Sequence, residues 1–258
     1  MAYVVNQPTL NALWPELDSF VRSTGPFLAC AWCALERSRT VSAPVAPQGL
    51  AIQALETLSN LNVLQLVPLN QKGAARSLYE PFAWTYQRSW GDLSGSLDQA
   101  LTTTLASWAV DCPANSRLRL WTSLGESEVT AYLENLLRKH RMDESLARQL
   151  PSTEVDEWAQ LSLGRKRYVM WSGMRAAASE LLRSGMCETS AGHVLDREIR
   201  TKTKWLIQRE QAGSIIATDF CFIPDAQWRK PLIVEVALAT FLPVGQAYWL
   251  EPAYRWKF

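Results

Sequence analysis

The chain has 258 residues, 48% of them hydrophobic and 20% charged, which excludes general disorder and leaves room for two domains that each bury a core. Its formal net charge of +1 excludes a surface that is basic throughout, so any hold on nucleic acid has to come from local patches. Twelve tryptophans are the one compositional excess; spread from Trp14 to Trp256, they are expected to fill helix-packing cores rather than to form a stacking platform, which needs them clustered.

In chain order, Pro15 suits a first helical position with Glu16 and Asp18 in the first turn, and Gly25-Pro26 stops that helix. A second helix is predicted from Phe27 to Arg37, with Leu28, Ala31, Trp32 and Leu35 on one face. Residues 38–46 suit a loop or a short strand. Leu50, Ala54, Leu55, Leu58 and Leu61 recur at helical spacing behind Pro47, predicting a third helix from Pro47 to Leu61. Two strands are predicted after it, 63–67 and 77–84, around a polar loop, 68–76, that carries Gly73 and ends basic. Helix, strand, loop and strand in that order is the second half of a winged helix. The gap of about nine residues between the second and third helices exceeds the three or four of an ordinary helix-turn-helix.

Residues 88–95 read as a linker. Beyond it the pattern is helical. Leu97, Leu101, Leu105 and Trp108 mark one helix, and residues 120–137 another that Gly125 could bend. Thr153 with Asp156 forms a weak capping box for a third, which continues or restarts past Gly164 and stops at Gly185. The helix from Ala191 to Gln208 has one apolar side and one basic side, and Pro231 opens an apolar segment that reads as buried. The fold class expected is mainly α: a winged helix-turn-helix with a small β-wing over residues 1–90, then a helical bundle over 91–258.

Leu120-Trp121, Glu128, Tyr132-Leu133-Glu134, His140, the run YVMW, Arg175 and Ala176-Ala177 together resemble a helical domain found behind winged helices in uncharacterised bacterial proteins. The resemblance covers roughly residues 120–255. It implies the two-part architecture and carries no activity over.

No catalytic constellation stands out. Cys30-Ala-Trp-Cys33 has zinc-ligand or redox spacing, but a structural zinc site needs a second pair and a thioredoxin-type site a preceding strand, so these thiols read as small buried hydrophobes. Cys187 and His193 have no orienting partner. Asp219, Asp225 and Glu235 could suggest a magnesium-dependent nuclease, yet the lysine expected beside the last carboxylate is missing, and Glu235 reads better as an ion-pair partner of an arginine. No enzymatic activity, metal or other cofactor is expected. Five cysteines without disulfide-like regularity, an N-terminal stretch unlike a signal peptide and the lack of an apolar run of about 18 residues lead to a cytoplasmic expectation.

The basic segments remain. Arg165, Lys166 and Arg167, with Arg175 beyond, and the helix bearing Arg197, Arg200, Lys202 and Lys204 could track phosphates, with Lys72 and Arg76 of the wing at their edge. The third helix, in the place of a recognition helix, offers Gln48, Gln53, Thr57 and Asn60; Gln and Asn can read adenine, but the helix has no arginine for guanine or phosphate. The function expected is non-enzymatic, phosphate-dominated binding of duplex DNA, as a regulator or a subunit of a larger nucleic-acid-handling complex, with a protein partner or homodimer and no membrane. The alternative is a protein-interaction scaffold whose winged helix binds a protein.

Overall fold

The computed structural model describes residues 7–70, 75–76, 83–87, 97–149, 155–185, 187–224 and 229–256. The protein is mainly helical. It divides into two compact units, one formed by Met1–Leu124 with Trp228–Pro243, the other by Gly125–Gln227 with Val244–Phe258. The first unit therefore takes in residues well past 90, where the sequence reading ends its first domain; the expected linker at 88–95 lies outside the described residues.

The first unit is built around α2 (Pro26–Arg37), whose residues from Ala29 to Glu36 are all buried. Alanines and cysteines on this helix let neighbours approach from every side: α1 (Gln7–Thr24), α3 (Gln48–Asn60), α4 (Leu97–Asp111) and α10 (Leu232–Ala239) all pack against it. Phe20 meets Trp32 edge to face at 6.1 Å, and Trp108 meets Phe241 in the same way at 5.1 Å. Pro15 sits inside α1 rather than at its start, which corrects the expected beginning of that helix. A proline removes only its own bond to the carbonyl four residues back, and the helix continues on both sides of it. Residues 38–46 form turns and no strand. Their carbonyls have a task, since Pro44 O and Val45 O accept the N–H groups of Leu232 and Ile233, two donors that the start of α10 would otherwise leave unmade.

After α3 come β1 (Leu64–Val67), β2 (Ala75–Arg76) and β3 (Ala83–Tyr86), antiparallel in the order β1-β3-β2, with Leu64 opposite Tyr86 and Ala75 opposite Trp84. Of the second expected strand, 77–84, residues 77–82 lie outside the described residues; Ala83 and Trp84 are paired as strand, and the described pairing continues to Tyr86.

The second unit rests on α8 (Leu163–Arg183) lying along α9 (Glu188–Gln211). Gly173 permits this approach, because a Cβ there would stand 3.1 Å from Leu195 Cδ1 and 3.2 Å from Ile199 Cγ1. The helix α5 (Ala114–Lys139) is continuous through Gly125, and the glycine makes room for a neighbour; a Cβ on it would come within 2.5 Å of Leu163 Cδ2. Short helices α6 (Leu146–Gln149), α7 (Val155–Ala159) and α11 (Ala247–Leu250) and a 3-10 turn (Ala253–Arg255) complete the unit. The residues of the expected capping box before α7 are outside the described set except Asp156. The cap that the structure does show is Ser162, whose Oγ accepts the Arg165 N–H at the start of α8. Among the described residues no helix is long and apolar enough to cross a membrane.

Candidate nucleic-acid interface

The predicted contact residues separate once placed. On α3, Leu50, Ala51, Ala54, Leu55 and Leu58 face the core, leaving Gln53, Glu56 and Asn60 exposed and Thr57 half-buried with its hydroxyl donated to Gln53 O. The solvent face of this helix thus presents amides and one acid. The side chains of Gln48 and Arg76, and the whole of Lys72, lie outside the described residues.

Arg165 and Lys166 are not surface cations, and this corrects their place in the expected stripe. Arg165 is 3% exposed; it donates to Glu210 Oε2 at 2.5 Å, to Ile216 O at 2.8 Å and to Asp219 O at 3.4 Å. Lys166 is 1% exposed, with Nζ 2.5 Å from Glu126 Oε1 and 5.1 Å from the centre of the Trp158 ring. Burial lowers its pKa and the Glu126 carboxylate partly restores it. Charges desolvated in this way are committed to their partners. Arg167 is half-buried, its guanidinium 4.3 Å from the Tyr132 ring centre and 5.5 Å from that of Trp249.

The residues of α9 are placed otherwise. Ala191, Leu195, Ile199, Thr203 and Leu206 form its buried face. Arg197, Arg200 and Lys204, spaced by three and four residues, therefore share the opposite side, where Arg197 is 69% exposed. Each has an acid close by: Asp196 at 3.0 Å from Arg200, Glu198 at 3.7 Å from Arg197 and Glu157 at 3.9 Å from Lys204. Pairs this exposed contribute about 0–1 kcal/mol, so a phosphate can replace the carboxylate at small cost.

The expectation that the tryptophans fill packing cores holds for Trp32, Trp84, Trp108, Trp121, Trp158 and Trp249, which are buried, whereas Trp171 and Trp205 of the second unit are half-buried and join other aromatic rings. There Trp171, Phe222, Tyr168, Phe220 and Trp205 form one chain of rings, successive centres 5.1–5.4 Å apart. Arg175 stands 4.8 Å from the Trp171 ring centre, Lys202 4.8 Å and Arg209 5.3 Å from that of Trp205. Trp205, Arg209, Ser214, Ile215, Asp219 and Phe220 line an open cleft of about 420 Å³.

The loop that supplies Phe220 is fixed from below. Asp219 Oδ2 accepts the Ile216 N–H at 3.0 Å, Ile216 O accepts the Asp219 N–H at 3.0 Å, and Arg165 holds the carbonyls of both residues. Past the ring, Phe222 N donates to Gly164 O at 2.9 Å. Phe220 itself has φ +55°, a left-handed conformation that a bulky side chain adopts at a cost of about 1–3 kcal/mol and keeps only where its surroundings over-determine it.

Other chemical candidates are used internally. At the end of α2, Glu36 accepts from Arg39 at 2.6 Å and from Tyr86 OH at 2.5 Å, while Arg37 donates to Asp98 at 2.9 Å and to Thr102 at 3.0 Å. That cleft, about 360 Å³, is electrostatically closed on itself. Cys30 and Cys33 are buried, which pushes both thiols up, Cys33 to about 12. Asp219 is occupied by its own loop, Glu235 lies 4.0 Å from Arg37, and Asp225 is outside the described residues.

Among the described residues, Glu128 is a buried acid with a marked pH consequence. Desolvation raises its pKa from 4.5 to about 7 against the pull of Arg167, and its Oε1 is buried without a hydrogen bond. The folded protein thus holds a proton that the unfolded chain releases. This contribution to stability is complete below pH 4.5 and lost as pH rises through 7, a swing of about 3 kcal/mol. Glu128→Gln removes the titration, so the stability of the unmodified chain relative to the variant should fall by that amount between pH 4.5 and 8 in urea denaturation. A difference that stays flat over the window contradicts the assignment.

No family model matches the chain, and no curated protein or solved structure does. Its function is therefore argued from the geometry.

Proposed function

We propose that the protein is a non-enzymatic nucleic-acid-binding protein that holds duplex DNA mainly through its phosphates. The observation that carries this reading is the solvent face of α9, with Arg197, Arg200 and Lys204 at successive turns and only weak surface pairs to displace. From Arg197 to Lys204 the face extends about 10 Å along the helix axis, enough to meet more than one phosphate of a strand. In the first unit we read α1 to α3 with the sheet β1-β3-β2 as a winged helix, whose wing would add Lys72 and Arg76, and in the second a helical bundle.

The decisive measurement is fluorescence anisotropy of a labelled blunt duplex at several salt concentrations. Arg200→Glu with Lys204→Glu should weaken binding at least tenfold at low salt and flatten the dependence of log affinity on log salt by about two phosphates' worth. Stability should change by less than about 1 kcal/mol, since both side chains are at the surface. No binding to duplex at low salt, or binding that the reversal leaves alone, refutes this reading.

A second reading is favoured by one observation. The exposed face of α3 bears Gln53, Glu56 and Asn60 and no cation among its described side chains, which suits a protein partner better than a DNA groove. The protein would then be a scaffold whose first unit docks onto another chain, and the same charge reversal would leave a negligible DNA affinity unchanged.

A further inference from the structure

We infer that the cleft lined by Trp205 and Phe220 stacks an unpaired nucleobase, so that the second unit takes single-stranded nucleic acid as well as duplex phosphates. The inference rests on the nucleic-acid reading above and names the ligand chemistry of a site that the α9 stripe does not include.

The walls of the cleft choose the ligand. The two rings touch edge to face, centres 5.1 Å apart and planes at 79°, so a base would lie on the outer ring surface that faces the cleft, where Phe220 remains 37% exposed. Arg209 and Lys202 stand against Trp205, and Arg175 against Trp171 in the same chain of rings. Cations at this density repel a cationic guest such as a quaternary ammonium, which aromatic recesses otherwise favour. A purely anionic guest would leave the rings unused. A nucleotide has both a flat π face and a phosphate. Only an unpaired base can enter, because in a duplex both faces of each base are covered by its neighbours.

Two features make the recess a built site. Phe220 is held at φ +55° by a loop whose carbonyls are gripped by the buried Arg165, so its ring is presented against local backbone preference. Trp205 directly follows Lys204 of the exposed stripe, a rotation of about 100° round the helix, so phosphates flanking a stacked base can reach that stripe. Asp219 also lines the cleft and keeps its negative charge while its Oδ2 accepts the Ile216 N–H, but Lys202, Arg209 and Arg175 beside the rings outnumber it.

The test uses the full chain and four labelled probes: a short oligothymidine, an oligouridine and an abasic deoxyribose-phosphate strand of the same length, and a blunt duplex. Phe220→Gly removes the ring and suits the positive φ, so the fold should survive, as a melting curve checks. It is expected to weaken oligothymidine or oligouridine binding roughly tenfold while leaving the duplex within about twofold. Phe220→Leu, apolar without a π face, should behave like glycine, and Phe220→Tyr should retain binding. The abasic strand should bind more weakly than either base-bearing strand and not respond to Phe220→Gly. A loss confined to oligothymidine assigns the site to DNA, one confined to oligouridine to RNA, and a loss in both to the shared base chemistry. Equal affinity for abasic and base-bearing strands, or indifference to Phe220→Gly, overturns the inference. Its failure is distinguishable from that of the duplex reading, which responds to Arg200→Glu with Lys204→Glu and not to Phe220.

Discussion

Replacing Arg165 with methionine is expected to destabilise the second unit by about 3 kcal/mol and to loosen the loop that carries Phe220. The guanidinium joins three separated acceptors: the Glu210 carboxylate, Ile216 O and Asp219 O. Methionine fills part of the volume and satisfies none of them. Glu210 keeps Arg255 at 2.8 Å and is partly exposed, which places the loss at the lower end of the range for a broken buried pair. Lysine should recover little, because one ammonium cannot span the fork that a planar guanidinium fits. Urea denaturation measures the stability, and hydrogen exchange at residues 214–222 should quicken beyond what the global loss explains. A cost below 1 kcal/mol, or exchange unchanged at those amides, would show that the loop holds its shape without the arginine.

Arg165 also shows where the sequence was readable and where it was not. The helices were legible because their apolar spacing is long and regular: α3 and α4 begin and end within a few residues of expectation, and α8 ends at the expected stop before Gly185. From the sequence, Arg165-Lys166-Arg167 reads as a surface run able to track phosphates. Carrying the helical period back through the run would have placed Arg165 in line with Val169, Gly173 and Ala177, and Lys166 in line with Met170 and Met174, all of them buried. The partners were out of reach. Glu126 lies 40 residues before Lys166 and Glu210 45 residues after Arg165, and nothing local links them.

The aromatic chain was hidden for the same reason. Tyr168 and Trp171 can be seen to share a helix face, but Trp205 joins them only because α9 lies along α8, and Phe220 and Phe222 only because a loop without periodicity folds back. The α9 stripe was legible, since exposure follows from helical spacing alone once the buried face is known. Positive φ at Phe220 gives no sequence signal, because that conformation favours glycine or asparagine and the residue here is neither.

Gly164→Ala is expected to cost about 2–3 kcal/mol, although alanine is intrinsically the better helix former by about 1 kcal/mol. The glycine sits in the first turn of α8, where a Cβ would overlap Cys221 Sγ and lie 3.1 Å from Trp249 O. Its own carbonyl takes the Phe222 N–H, so the segment after Phe220 is tied to this spot and cannot drift away without losing that bond. The obstacle is mainly one sulfur atom. Cys221→Ala removes it, and the Cys221 Cβ then stands 3.4 Å from the new methyl, an ordinary contact. Cys221→Ala alone gives up a half-buried thiol and its weak bond to Trp249 O, a loss expected to stay below about 1 kcal/mol. The double variant should therefore be more stable than Gly164→Ala alone by about 1–2 kcal/mol, a coupling that a double-mutant cycle in urea reads directly. The residual cost would come from the Trp249 carbonyl, which must yield by a few tenths of an ångström. If the two substitutions simply add, the sulfur is not what Gly164 makes room for, and the close approach of the 219–222 segment to α8 has to be held by something other than this contact.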